Sequence, residues 1–175
     1  GWLPGDWMPQ EELRRALRAL ARRPDANLVD YDLPAGHAGL RQHLSRRLAD
    51  KDIDAPPSQI VLMDSATQAI ELLCRFLLKP GDTVLVDDPC FFNFLAKLRA
   101  HRLDILGVPM TRGGPDVAAL ADILSAHRPR LYLTNSALHN PTGASLSPLV
   151  AHRVLKLAEA HDLMLIEDDI YTDFE

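Results

Sequence analysis

With 175 residues, 47% hydrophobic and 25% charged, the chain is long enough for one domain with a buried core and ordinary in composition for a globular protein. A formal net charge of −5 excludes the basic footprint that a nucleic-acid or anionic-membrane surface requires. No apolar run approaches a membrane span and no charged-then-apolar leader opens the chain, while Cys74 and Cys90 lack metal or disulfide spacing, which fits a reducing cytoplasm with both thiols packed as small residues.

Glu11 to Arg22 reads as a helix: Leu13, Ala16, Leu17 and Leu20 share a face, acids open its first turn and Pro24 ends it. Ala38 to Leu48 reads as a second, with Leu40, Leu44 and Leu48 at i, i+4 spacing. Gln59 to Met63 reads as a short apolar strand, and Ala66 to Leu78 as a strongly apolar helix closed by Lys79-Pro80-Gly81. Strands at Thr83–Val86, Leu103–Val108, Leu131–Thr134 and Leu163–Ile166 then alternate with helices at Phe91–Ala100, Asp116–Ala126 and Pro148–Ala160. No internal repeat or low-complexity segment interrupts the pattern.

Strands that are apolar on both faces, separated by helices, imply an α/β fold with a mostly parallel sheet flanked by helices. The predicted organisation is an N-terminal segment over about 1–50 and an α/β core over about 58–175. In such sheets ligands bind beyond the carboxyl ends of the strands. Asp64-Ser65-Ala66-Thr67, Asp87-Asp88-Pro89, Asn135 to Gly143 and Glu167 to Tyr171 all fall just after predicted strands.

Each of these segments has two readings. Ser65, Ala66 and Thr67 open a helix, where free N–H groups and the positive dipole end favour a phosphate, but Asp64 or Ser65 would serve equally as a plain N-cap. Phe91 stands at a loop-to-helix junction, placed either to stack on an aromatic ligand or to pack in the core. Asn140 precedes Pro141 in a turn that ends at Gly143; the proline biases Asn140 towards extended backbone, from which its amide could donate to a ligand oxygen. Asp168 lies in a run of three acids that taken alone reads as a solvated acidic loop, as Glu167 and Asp169 do. A carboxylate at Asp168 could hold the ring nitrogen of a pyridine protonated.

His139-Asn140-Pro141-Thr142-Gly143, followed by Asp168-Asp169-Ile170-Tyr171, resembles the core of fold-type I aminotransferases, the class I/II pyridoxal-phosphate enzymes. The resemblance runs the length of the chain and implies part of that family's large domain, with pyridoxal 5'-phosphate as cofactor. It assigns Ser65, Ala66 and Thr67 to a phosphate cup, although many relatives have Gly within it, and Phe91 to stacking on the ring. Asn140 and Tyr171 would bond the phenolic oxygen of the ring, and Asp168 its nitrogen. Tyr31-Asp32-Leu33-Pro34-Ala35-Gly36 through Arg41 is similar to the segment in which Tyr31 reaches the partner subunit's phosphate and Gly36 approaches the substrate. A homodimer with shared sites follows, with an amino acid or amine as ligand and no metal.

The family also requires a Schiff-base lysine, and none of Lys51, Lys79, Lys97 and Lys156 occupies a family-like position. The chain alone is therefore expected to be inactive in transamination, with no catalytic residue of its own. Gly1-Trp2-Leu3-Pro4, Phe91-Phe92-Asn93, Gly114-Pro115-Asp116, His127-Arg128-Pro129-Arg130 and Thr134-Asn135-Ser136 resemble the aminotransferase-like domain of MocR-type regulators in the GntR family. That implies a sensor module of a cytoplasmic transcription regulator, touching DNA only through an N-terminal winged helix. Neither the winged helix nor the family's C-terminal small domain is expected within these residues. Two other readings stand beside it, a fragment of an authentic aminotransferase and a cofactor-free dimerisation domain.

Overall fold

The structure, a computed structural model, describes residues 4–24, 26, 29, 31 and 33–174. It divides into two compact units, Gly1–Met63 and Asp64–Glu175. Residues 58–63, grouped with the α/β core on sequence, thus belong to the first unit.

The first unit carries helices α1 (Gln10–Ala21) and α2 (Ala38–Ala49). In α1, Glu11 and Glu12 occupy the first turn, where the helix dipole favours acids. The Leu13, Leu17 and Leu20 face is exposed. His37 caps α2, its Nδ1 accepting from Leu40 N–H at 3.2 Å. The strand expected at Gln59–Met63 does not form. Pro57–Gln59 is a 3-10 turn instead, and Leu62 N–H donates to Ala35 C=O at 3.0 Å. That backbone donor goes to a turn and not to a ladder, so extended conformation at Ile60 creates no sheet.

The second unit is the α/β core. Its elements are α3 (Ala66–Leu77), β1 (Thr83–Asp88), α4 (Phe92–Ala100), β2 (Asp104–Thr111), β3 (Gly114–Pro115), α5 (Val117–Ala126), β4 (Leu131–Asn135), α6 (Pro148–Ala160) and β5 (Met164–Asp168). The strand order is β3-β2-β1-β4-β5, parallel throughout except for the antiparallel β2–β3 pair. The two-residue β3 is not among the predicted strands, because a Gly-Gly-Pro run reads as a turn.

The two-residue period of β1 and β4 sorts the core into two layers. Val84, Val86, Leu131 and Leu133 face α3 and α4, packing with Ile70, Cys74, Phe94 and Leu98. Leu85 and Tyr132 face α5 and α6, packing with Leu120, Leu124, Val154 and Ala158. Caps set the helix starts: Asp116 accepts from Ala118 and Ala119 N–H at 2.9 and 3.2 Å, and Ser147 accepts from Val150 N–H ahead of Pro148. Residues 78–82 join α3 to β1, and Ile70 and Cys74 of the helix pack in one cluster with Val84 and Val86 of the strand.

Candidate functional site

The strand ends carry a buried polar layer on an otherwise apolar sheet. Asp87, on the same side of β1 as Leu85, is 2% exposed. Its Oδ1 accepts from Tyr132 Oη at 2.6 Å; its Oδ2 accepts from Thr134 Oγ1 at 3.1 Å and from Asn135 N–H at 2.8 Å. His139 Nε2 lies 3.3 Å from the same Oδ2. A buried carboxylate is tolerable only when donors surround it, and these four groups do so. Burial, then the Asp87 charge, raises the Tyr132 phenol far above its usual range, so it stays a donor. The same causes, with Asp88 added, push the Cys90 thiol up to about 12.

Asn135, 5% exposed, ends β4 directly across from Asp168 at the end of β5. Its Nδ2 donates to Asp168 C=O at 2.6 Å, and its Oδ1 accepts from Asn140 N–H at 2.7 Å. One buried amide therefore ties the backbone of the two residues that the sequence singled out. The loop that follows β4 is held further by Leu146 N–H to Ser136 C=O at 2.8 Å and Leu138 N–H to Ser145 Oγ at 3.2 Å.

The Asp168 carboxyl is partly buried, and burial raises it above the ordinary carboxylate range. The Ile170 amide opposes that shift and neighbouring Asp169 adds to it. Among the described residues no Lys or Arg pairs with it. Glu167 and Asp169 are exposed, while Tyr171 is partly buried in the turn that follows.

Ser65 takes the cap role at α3, its Oγ accepting from Gln68 N–H at 3.1 Å. Ala66 and Thr67 are the next two residues, with amides that no intrahelical carbonyl can serve. Phe91, the N-cap residue of α4, is partly buried. Its ring makes T-shaped contacts with Phe92 and Phe94, with centroids 4.9 and 5.3 Å away, and packs against the core cluster that contains Phe94. Phe91 follows β1, Asn140 follows β4, Asp168 ends β5 and Tyr171 follows it, all beyond or at the carboxyl ends of parallel strands, while Ser65, Ala66 and Thr67 stand at the start of α3.

Tyr31 and Gly36 lie in the first unit, and Asp32 beside them is outside the described residues, as are Gly1, Trp2 and Leu3 of the N-terminal motif. Tyr31 is fully exposed. Gly36 has φ +87°, and a Cβ there would meet the Leu62 side chain at 2.6 Å, so a local packing reason already demands glycine.

The aminotransferase class I and II family model matches residues 4–175. The chain belongs to the class I and II aminotransferase family. Among its relatives, the HTH-type transcriptional regulator YdcR of Escherichia coli K12 is 34% identical over 168 residues, covering 94% of this chain and 36% of YdcR. The 2-aminoadipate transaminase of Thermus thermophilus is 29% identical, covering 99% of this chain and 43% of the enzyme. A crystal structure of LysN, an α-aminoadipate aminotransferase from the same organism complexed with N-(5'-phosphopyridoxyl)-L-leucine, superposes with a TM-score of 0.86 at 28% identity. It covers 97% of this chain and 42% of LysN. The chain thus spans less than half the length of these relatives, and its sheet is that of an aminotransferase large domain.

Sequence reasoning placed Asp87, Asn135 and His139 in segments beyond strand ends but gave none of them a part in this buried polar cluster. A signal existed for Asp87: Tyr132 and Thr134 are spaced by two on an apolar strand, which puts two hydroxyls on one buried face in need of an acceptor.

Proposed function

We propose that the chain forms the pyridoxal-phosphate-binding part of an aminotransferase-like sensing domain in a MocR-type regulator of the GntR family, working as a cytoplasmic homodimer. The observation that carries the cofactor reading is the Asp168 carboxyl, raised by burial and unpaired with any Lys or Arg among the described residues. Asn135 ties its backbone to that of Asn140. Such a group suits a cationic nitrogen, and the ring nitrogen of pyridoxal phosphate becomes one when protonated.

Asn140 and Tyr171 would hold the ring oxygen and Phe91 the ring face. Ser65, Ala66 and Thr67 would hold the phosphate, where the α3 dipole and free amides favour an anion. Tyr31 would reach the phosphate in the partner subunit, and Gly36 the amino ligand. Bound there, the cofactor supplies an electron-withdrawing ring for amine chemistry. The protein's part is to keep the proton on the ring nitrogen through Asp168 and to fix the ring plane against Phe91.

Of the four lysines, Lys97 pairs with Glu71 at 2.5 Å between α4 and α3, and Lys156 with Glu159 at 3.0 Å on α6. Neither they nor Lys51 and Lys79 follow a strand's carboxyl end. Covalent attachment of the cofactor falls to a residue outside these 175, and transamination by the isolated chain is not expected.

Likeness to YdcR supports the regulator reading, and likeness to the 2-aminoadipate transaminase favours an amino-acid aminotransferase as the second. The test is absorbance titration of the complete reading frame with pyridoxal phosphate, together with DNA binding and amino-donor turnover. Cofactor-dependent DNA binding with little turnover is the expected result. Efficient turnover without DNA binding transfers the protein to the second reading, and absence of cofactor binding removes both.

A further inference from the structure

Every polar group of His139 is engaged. Its backbone N–H donates to Ala144 C=O at 2.7 Å and its C=O accepts from Gly143 N–H at 2.6 Å, which closes residues 139–144 into a turn. Ring atom Nδ1 lies 2.8 Å from Thr142 Oγ1 and accepts from Thr142 N–H at 3.4 Å. An Nδ1 that accepts leaves the ring hydrogen on Nε2, which faces Asp87 Oδ2 at 3.3 Å. The ring is 2% exposed, sunk among the strand ends. Leu138, just before it, holds a left-handed φ of +45°, a conformation that persists in a non-glycine residue only where its surroundings over-determine it.

We propose that His139 is a positioning residue for Asn140: its buried ring, seated on Asp87 and gripped by Thr142, locks the turn that presents the Asn140 amide. The claim rests on the cofactor-binding reading for its purpose, though not for its geometry. Asn140 follows the locked ring immediately, and its own N–H is fixed to Asn135. Two adjacent residues are thus anchored to β1 and β4, leaving the Asn140 side chain few directions. Asp87 reaches Asn140 by two routes, through the His139 ring and through Asn135, from whose N–H it also accepts.

Two substitutions in the complete reading frame separate the ring's contacts. In His139→Gln the terminal amide nitrogen reaches the place of Nε2 and can still donate to Asp87. In His139→Asn the shorter amide matches Nδ1, serves Thr142 and deserts Asp87. Hydrogen exchange of the 136–147 segment without cofactor and pyridoxal-phosphate titration are the two readouts. The expected result for Gln, which keeps Asp87 and gives up only the Thr142 contact, is a small rise in exchange with near-wild-type affinity. For Asn, exchange should rise and affinity fall by about tenfold, the scale of one lost hydrogen bond.

Equal behaviour of the two variants, whether both unchanged or both equally loosened, overturns the proposal. Thr142→Val, at an exposed position, covers the case in which neither variant folds: it should speed loop exchange, and unaltered exchange overturns the proposal. If the wild type binds no pyridoxal phosphate, the cofactor reading falls, while the exchange data still decide whether His139 locks the turn.

Discussion

Asp168→Asn separates a binding group from a structural one, because its two effects have opposite signs. In the cofactor-free protein Asp168 is raised by burial, with no Lys or Arg paired with it among the described residues. A carboxyl with a raised folded-state pKa contributes stability that is complete below its unfolded value, 3.8, and is lost as pH rises through the folded value. At pH 7 the ionised group is therefore a burden that Asn does not carry. The variant's stability relative to wild type should rise from pH 3.5 to pH 7, read by urea unfolding at each pH with an unchanged m-value. Partial exposure screens the charge, so this gain is modest. Cofactor binding should move the other way. Exchanging a carboxylate for an amide opposite a cationic nitrogen forfeits a charge-assisted bond worth about 1.5–3 kcal/mol, roughly 10- to 150-fold in affinity. A stability difference that is flat in pH would refute the desolvation argument. Unchanged affinity for pyridoxal phosphate would refute the assigned role of Asp168.

Three further substitutions and probes test other parts of the site. Asn135→Leu keeps the branched shape but strands Asp168 C=O and Asn140 N–H, which should lower the unfolding free energy by about 2–4 kcal/mol in urea titration and weaken cofactor binding as well. Ser65→Ala removes the α3 cap and should cost about 1 kcal/mol by the same measurement, whereas Ser65→Gly should cost only a few tenths, roughly. Cys90, pushed up to about 12, should react with iodoacetamide at pH 8 at least about tenfold more slowly than a free cysteine, followed by mass spectrometry.

The alternation of helices and strands is legible because each element of the second unit is both periodic and punctuated. Ser65 marks a helix start by a residue type that caps it and does cap in the structure, as do Asp116, read as the first helical residue, and Ser147, which no predicted element includes. Predicted strands run short at their carboxyl ends, since Asp87, Asp88, Asn135 and Asp168 read as loop residues. Gln59 to Met63 fails for the opposite reason. An apolar run promises extended backbone, but a strand exists only where a partner accepts its hydrogen bonds, and Ala35 takes that of Leu62. Candidate ligand contacts can be named from motifs because they sit beyond strand ends, where a parallel sheet places ligands. The groups that hold them cannot, because their meaning depends on who lies opposite.

Asp87 and Asp88 make that dependence concrete. They are adjacent, identical in type and both at the end of β1, yet one is 2% exposed and the other faces solvent. The pleat alone decides between them: Asp87 shares the face of Leu85, and the register pairs Leu85 with Tyr132. Once that pairing is made, the hydroxyls of Tyr132 and Thr134 have an acceptor and the carboxylate has its donors, so each side removes the penalty the other would incur. The cluster then extends outward through Asn135 and His139 to Asn140, so the backbone of the proposed ligand contact is held by a buried carboxylate. That order of dependence explains why the apolar sheet tolerates an acid at its centre. It also predicts which side chains should matter most for affinity while lying out of the ligand's reach.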